Sequence, residues 1–193
     1  MNLLLLIGLP LLTAVTVLLS RNKQQVKWIA LVGSVAQLAL AFVLFFIYKH
    51  ERETGNAAQM LFEQNYPLFK SLNINFHLGV DGISIAMILL TAFVVVAGVL
   101  VSWHIEKMTK EFYFLLLLLG MGAYGFFISL DLFILFFFLE ISVIPKYLLI
   151  GIWGSGKKEY SANKLALMLM GGSALILVGI LGLYFAAGRS FDI

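Results

Sequence analysis

The chain has no cysteine. That removes disulfides, thiolate metal sites and thiol nucleophiles together, and it leaves the redox compartment unreadable from this residue. Charge is scarce as well. Asp, Glu, Lys and Arg make up 12% of the 193 residues, against about 25% in an ordinary soluble domain. Hydrophobic residues reach 62%, where about 45–50% is usual, and mean hydropathy is +1.01. The composition is that of an integral membrane protein. A net charge of +3 follows from a few basic loop residues. Nucleic-acid binding is excluded, because the aromatics lie in apolar runs and not between clustered Lys and Arg. No phosphate-binding loop, metal-ligand cluster or soluble domain is present, and no cofactor site is expected in the chain. His50, His77 and His104 lie in or next to loops, far apart in sequence, and read as interfacial polar residues, since haem or redox ligation requires closer spacing.

What fills the chain is long apolar runs. Crossing about 30 Å of hydrocarbon takes about 20 apolar residues as a helix, which predicts six transmembrane helices at about 2–20, 28–48, 83–103, 112–129, 132–151 and 165–187. The fold class is all-α, a single transmembrane domain over 1–193 with an outer loop at 49–82. The first run carries its positive charge behind it, at Arg21 and Lys23, so it reads as an anchor and not as a cleaved signal. Arg21, Lys23, Lys27, Lys107, Lys110, Lys157, Lys158 and Lys164 fall on one side of the membrane, and Lys49, Arg52, Lys70 and Arg189 on the other. The richer side is expected to be cytoplasmic, with both ends of the chain outside.

In the outer loop, apolar residues alternate at Leu72, Ile74, Phe76 and Leu78, the period-two pattern of a half-buried strand, so a hairpin-like or extended element is expected there. Gly79 and Gly82 flank Asp81 and suit a turn before the third helix. Asp81 reads either as a helix-start acid or as a functional one. The short connections at 103–111 and 129–131 make helices three, four and five neighbours. Small and polar residues mark helix contacts in membranes. They recur as Ser34, Gln37 and Ala41 in the second helix, Gly122, Gly125 and Ser129 in the fourth, and Gly172, Gly179 and Gly182 in the sixth. These stripes predict packing faces or a partner surface.

The fifth helix holds the chemistry. Asp131 stands at its N-cap, where a carboxylate accepts from free amides and suits the positive end of the dipole. Within LFFFLEISVIPK, residues 135–146, Glu140 lies about 14 Å further along, near the midplane. An acid there costs about 3 kcal/mol on insertion scales, while each surrounding Leu, Ile, Phe or Val contributes about 0.3–0.6 in favour, so the span still inserts. An acid at that depth usually faces a bundle interior or a hydrated path. Lys146 is no direct partner, because six residues turn a helix by about 240° and advance it about 9 Å; it reads as a lysine snorkelling to the near surface. Pro145 leaves the Ile141 carbonyl without its helical donor, for water, a neighbouring helix or the Ser142 hydroxyl to satisfy. This is either a packing kink or a local opening. Desolvation favours the neutral form of a carboxyl group and an approaching cation the ionised form. Glu140 moved between those settings would take up and release a proton; its other reading is a purely structural acid.

The stretch LEISVIPKYLLIGIWG, then KKEYSANK and GGS, together with GVDGISI before the third helix, closely resembles the chain 4 (M chain) family of respiratory NADH:quinone oxidoreductase, complex I, over its N-terminal portion. The resemblance implies an antiporter-like fold of about fourteen helices built on inverted repeats of five. It implies other membrane-arm subunits as partners, with FMN, iron–sulfur clusters and quinone held in partner subunits. It makes Glu140 the glutamate of the proton channel, working with a lysine on a seventh helix. That lysine would lie beyond Ile193, with the chain either a fragment of a longer one or split from a remainder that lies elsewhere. Asp81, Asp131, Ser142, Pro145, Lys146 and Lys164 are the accessory or structural candidates. Lys146 departs from the apolar residue, often Met, expected at its position. The implied location is a bacterial inner membrane. The rival functions are the large subunit of a multisubunit cation/proton antiporter and a structural scaffold subunit.

Overall fold

The computed structural model describes residues 2–54, 58, 60–69, 74–186 and 191. Six helices run in order as α1 (Leu4–Leu19), α2 (Lys23–Glu53), α3 (Gly82–Val101), α4 (Thr109–Ile128), α5 (Leu132–Trp153) and α6 (Lys158–Ala186), with strands β1 (Leu61–Phe69) and β2 (Ile74–Val80) between α2 and α3. Helices α2 to α6 are long and apolar enough to cross a membrane. The first helix has 16 residues, about 24 Å, and is shorter than the span expected from the sequence.

Two helices exceed their apolar runs. Asn22 caps α2 by accepting from the amide of Gln24 at 3.1 Å, so the helix begins five residues before Trp28, where the greasy segment starts. At its other end Arg52 donates to the Tyr48 hydroxyl at 3.0 Å, and Lys49 faces Glu53 at 3.7 Å. Those i, i+4 contacts carry the helix beyond the membrane. Similarly α6 starts at Lys158, ahead of Leu165, because Glu159 and its polar neighbours suit the positive end of a helix. Hydropathy marks the membrane, and caps mark the helix.

Helix α4 is the most enclosed of the five long helices and packs on α1, α3 and α5. Its approach to α5 is set by glycine. A Cβ at Gly122 would overlap the Ser142 hydroxyl, and one at Gly125 would overlap the Phe138 ring. In lipid such closeness replaces the hydrophobic drive that water would supply. The stripe of Ser34, Gln37 and Ala41 is likewise buried against protein, with the Gln37 amide donating to the Leu6 carbonyl at 3.0 Å. The glycines of α6 differ: Gly172, Gly179 and Gly182 have nothing within 4 Å of an added Cβ, so that stripe meets no partner among the described residues.

The connections gather at two ends. At one, the lysine-rich end, Lys23 donates to the Glu106 carbonyl at 3.1 Å and the Trp153 indole to the Lys107 carbonyl at 2.8 Å. At the other lies the antiparallel hairpin β1–β2. Leu61 pairs with Val80 and Gln64 with Leu78, so β1 carries one extra residue there, and Phe62 takes φ 60 at this bulge. Ile74 and Leu78 are buried and Phe76 half-buried; Leu72, with Lys70 and Arg189 of the charge count, lies outside the described residues. The turn expected at Gly79 and Gly82 falls between β2, which ends at Val80, and α3, which begins at Gly82, and neither glycine needs positive φ for it. Gly79 is small because Leu130 packs where its Cβ would be.

Gly125→Ala is therefore expected to destabilise the α4–α5 pair by about 1–3 kcal/mol, the usual cost of overpacking, while Gly179→Ala is close to neutral. Thermal unfolding of the detergent-solubilised protein compares the two, and an equal loss at both sites would refute the account.

Candidate functional site

The fifth helix is fixed at the hairpin end by Asp131, which is 1% exposed. Its Oδ1 accepts from the amides of Phe133 and Ile134 at 2.9 and 3.1 Å, which satisfies two of the free donors of the first turn. Its Oδ2 accepts from the Asn75 amide of β2 at 3.2 Å. One carboxylate thus caps the helix and ties it to the hairpin. The tie is reinforced where the Leu130 amide donates to the His77 carbonyl at 2.9 Å.

Glu140 follows two and a half turns into α5. The residue is half-buried, and its Oε1 is shut from solvent with no hydrogen-bond partner among the described residues. Its face of the helix also carries Phe137, Ile144 and Tyr147, all exposed. One turn further along, Val143, Ile144 and Tyr147 line a groove of about 580 Å³ against Asn163, Ala166 and Met170 of α6.

Ser142 and Lys146 lie on a different side of α5, toward α4. The Ser142 hydroxyl donates to the Phe138 carbonyl at 3.1 Å, so the contribution considered for it at Ile141 is not made. It bonds back one turn, as buried serines in apolar helices do. Pro145 is buried inside α5, which continues to Trp153. Lys146 is half-buried and lines a cavity between α4 and α5 with Leu139, Ser142 and Phe126. The two ion pairs among the described residues are Lys49–Glu53 and His77–Glu63, and neither involves Glu140 or Lys146.

Asp81 and Lys164 stand apart from this helix. Asp81 caps α3, its Oδ1 accepting from the Ser84 amide at 2.7 Å. Burial pushes its carboxyl up, but the hydrogen bonds from Ser84 and its own turn outweigh that and hold it below the usual carboxylate value. Lys164, exposed near the start of α6, sits 6.0 Å from the Tyr160 ring centroid, a contact at the outer limit of cation–π range.

Two further polar groups carry an orphaned atom, one of them, Tyr124, not singled out from the sequence. Tyr124, 1% exposed on α4, and Gln37 each keep a buried oxygen without a partner among the described residues. A tyrosine inside MGAYGFF reads as packing, and nothing in the string distinguishes a satisfied hydroxyl from an orphan.

Residues 129–193 match the family described as NADH:quinone oxidoreductase/Mrp antiporter, transmembrane. Among curated proteins the chain is 36% identical over 170 residues to NAD(P)H-quinone oxidoreductase chain 4 of Angiopteris evecta chloroplasts, covering 87% of this chain and 33% of the relative. It is 35% identical to the chloroplast chain 4 of Mesostigma viride, covering 97% and 37%. Among solved structures, a chain of respiratory complex I from Thermus thermophilus superposes with a TM-score of 0.83 at 22% identity, over 99% of this chain and 38% of that one. The fold is thus that of part of a chain of respiratory complex I. The chain spans about a third of the length of these curated relatives.

The Asp81 cap gives a pH prediction. A carboxyl held below its usual value contributes stability that is present above the ordinary carboxylate range and is lost as pH falls through its folded value. Asp81→Asn keeps a good cap without the titrating charge. Melting temperature is expected to fall less steeply in acid for this variant than for the parent; identical pH profiles would contradict the assignment.

Proposed function

We propose that this chain belongs with the NAD(P)H-quinone oxidoreductase chain 4 proteins it resembles and serves as a proton-translocating membrane-arm subunit in which Glu140 carries the proton. The observation that carries the reading is the Glu140 carboxyl itself: mid-span on α5, one oxygen enclosed and unpartnered, on the face that borders the α5–α6 groove. Water or a cation reaching that face changes which form of the carboxyl is favoured, and a group so switched takes up a proton in one state and releases it in the other.

Pro145 supports access. It withholds a donor from the Ile141 carbonyl directly after Glu140, and since Ser142 bonds to Phe138, that carbonyl is left for water or another helix. The cation that completes the switch is the lysine of a further helix, as the family resemblance implies. Electron transfer belongs to partner subunits, which hold FMN, iron–sulfur clusters and quinone; this chain performs no redox step. Asp81 and Asp131 act as caps, and Lys164 as an interfacial lysine. The chain sits in a bacterial inner membrane with its lysine-rich end toward the cytoplasm and its first residues outside, because basic residues between spans favour the cytoplasmic side.

A second reading rests on the matched family, whose description includes the Mrp antiporter. In that setting the same acid serves cation/proton exchange. Co-purification decides between the two: flavin-containing partners support the oxidoreductase, and sodium-extruding partners without flavin support the antiporter.

Glu140→Gln is expected to reduce NADH-driven proton translocation to a small fraction of the parent rate while the assembled complex remains in the membrane. Pumping in inverted vesicles measures it. Full translocation by this variant would leave Glu140 with only a structural role.

A further inference from the structure

We propose that the cavity between α4 and α5 is a docking site for a transmembrane segment of the surrounding membrane complex that carries an Asp or Glu, with Lys146 as its counter-charge. The cavity, about 210 Å³, is lined by Leu139, Ser142 and Lys146 of α5 and by Leu119, Ala123 and Phe126 of α4. Lys146 is the one charged group among these residues. The Ser142 hydroxyl is already engaged with the Phe138 carbonyl, and Lys146 makes no hydrogen bond or ion pair among the described residues.

Depth and direction decide what the amine meets. Lys146 precedes Trp153, the end of α5, by about two turns, or about 10 Å. Helical side chains lean toward the N-terminus of their helix, which for α5 is the hairpin end. The cavity wall runs the same way, from Lys146 past Ser142 to Leu139, one and two turns nearer that end. Lys146 thus stands on a cavity wall within the span, where an unpaired cation is costly and such groups pair with one another.

A phospholipid phosphate lies outside the hydrocarbon layer of about 30 Å, whereas the cavity runs from Lys146 away from the end of α5, past Ser142 to Leu139. The cavity extends only about 10 Å along α5, room for side chains and not for an acyl chain running through a leaflet. A carboxylate on a neighbouring helix meets both the depth and the size. Glu140 lies on a different face of α5, so this site is separate from the proposed proton path and does not rest on it.

The test uses the membrane complex purified with this chain in it and a diazirine analogue of leucine placed at position 119. The expected result is a photo-cross-link to a segment with Asp or Glu inside an apolar span. Lys146→Glu should lower its yield several-fold, Lys146→Arg should preserve it, and converting the captured acid to Lys should restore it in Lys146→Glu. Should Lys146→Glu fail to accumulate in the membrane, Lys146→Met replaces it, with the same several-fold fall expected. Cross-linking to phospholipid alone, capture of a segment without an acid, or an unchanged yield in Lys146→Met would overturn the proposal.

Discussion

The contact on which the rest of this structure depends is the approach of α4 to α5 at Gly122 and Gly125. With no side chain there, Ser142 and Phe138 enter space that an alanine would fill. That contact fixes the rotation of α5 about its own axis. Ser142 is held toward α4, and helical geometry then carries Glu140 to another face and Lys146 to the edge of the α4–α5 cavity. In lipid, where apolar surface gains little from meeting apolar surface, two glycines one turn apart do what a hydrophobic core does in water.

Rotation alone leaves the helix free to slide, and the hairpin end removes that freedom. Asp131 holds the first turn of α5 by its amides and β2 by Asn75, while the main chain at Leu130 bonds to His77. Strand β2 in turn leads to Asp81 and the cap of α3. Two aspartates thus set the heights of two helices through one hairpin, and the depth of Glu140 follows from that of Asp131. A helix-start acid in a membrane protein is in this sense a ruler for whatever charge lies further along the span.

Much of the fold was legible because membranes impose a strong filter on sequence. Six apolar runs gave six helices, and the alternation around Ile74 and Phe76 gave β2. Helix ends were less legible: Asn22 and Lys158 start helices well outside the apolar runs, where local hydrogen bonding and not hydropathy decides. Gly79 was read as a turn residue, yet it is a close-approach residue, and only the position of Leu130 shows it. At the candidate site, Glu140 stands out in the string because charge is rare there. The partner of the Ser142 hydroxyl and the wall on which Lys146 lies are tertiary facts with no local signal.

The contrast between Glu140 and Lys146 carries a further consequence. Both are ionisable groups within an apolar span, six residues apart, and a pair of opposite charge would have made α5 electrically self-sufficient. Helical geometry separates them onto different sides, so neither completes the other. Pro145, buried between them in sequence, keeps the α5 ladder from closing over that stretch. A helix arranged so is poorly suited to standing in lipid by itself and well suited to the interior of an assembly, with neighbours on both faces. The exposed apolar residues and unpartnered glycines of α6 leave a second open surface, on the side of α5 whose face carries Glu140, so what covers it also bears on the environment of that acid.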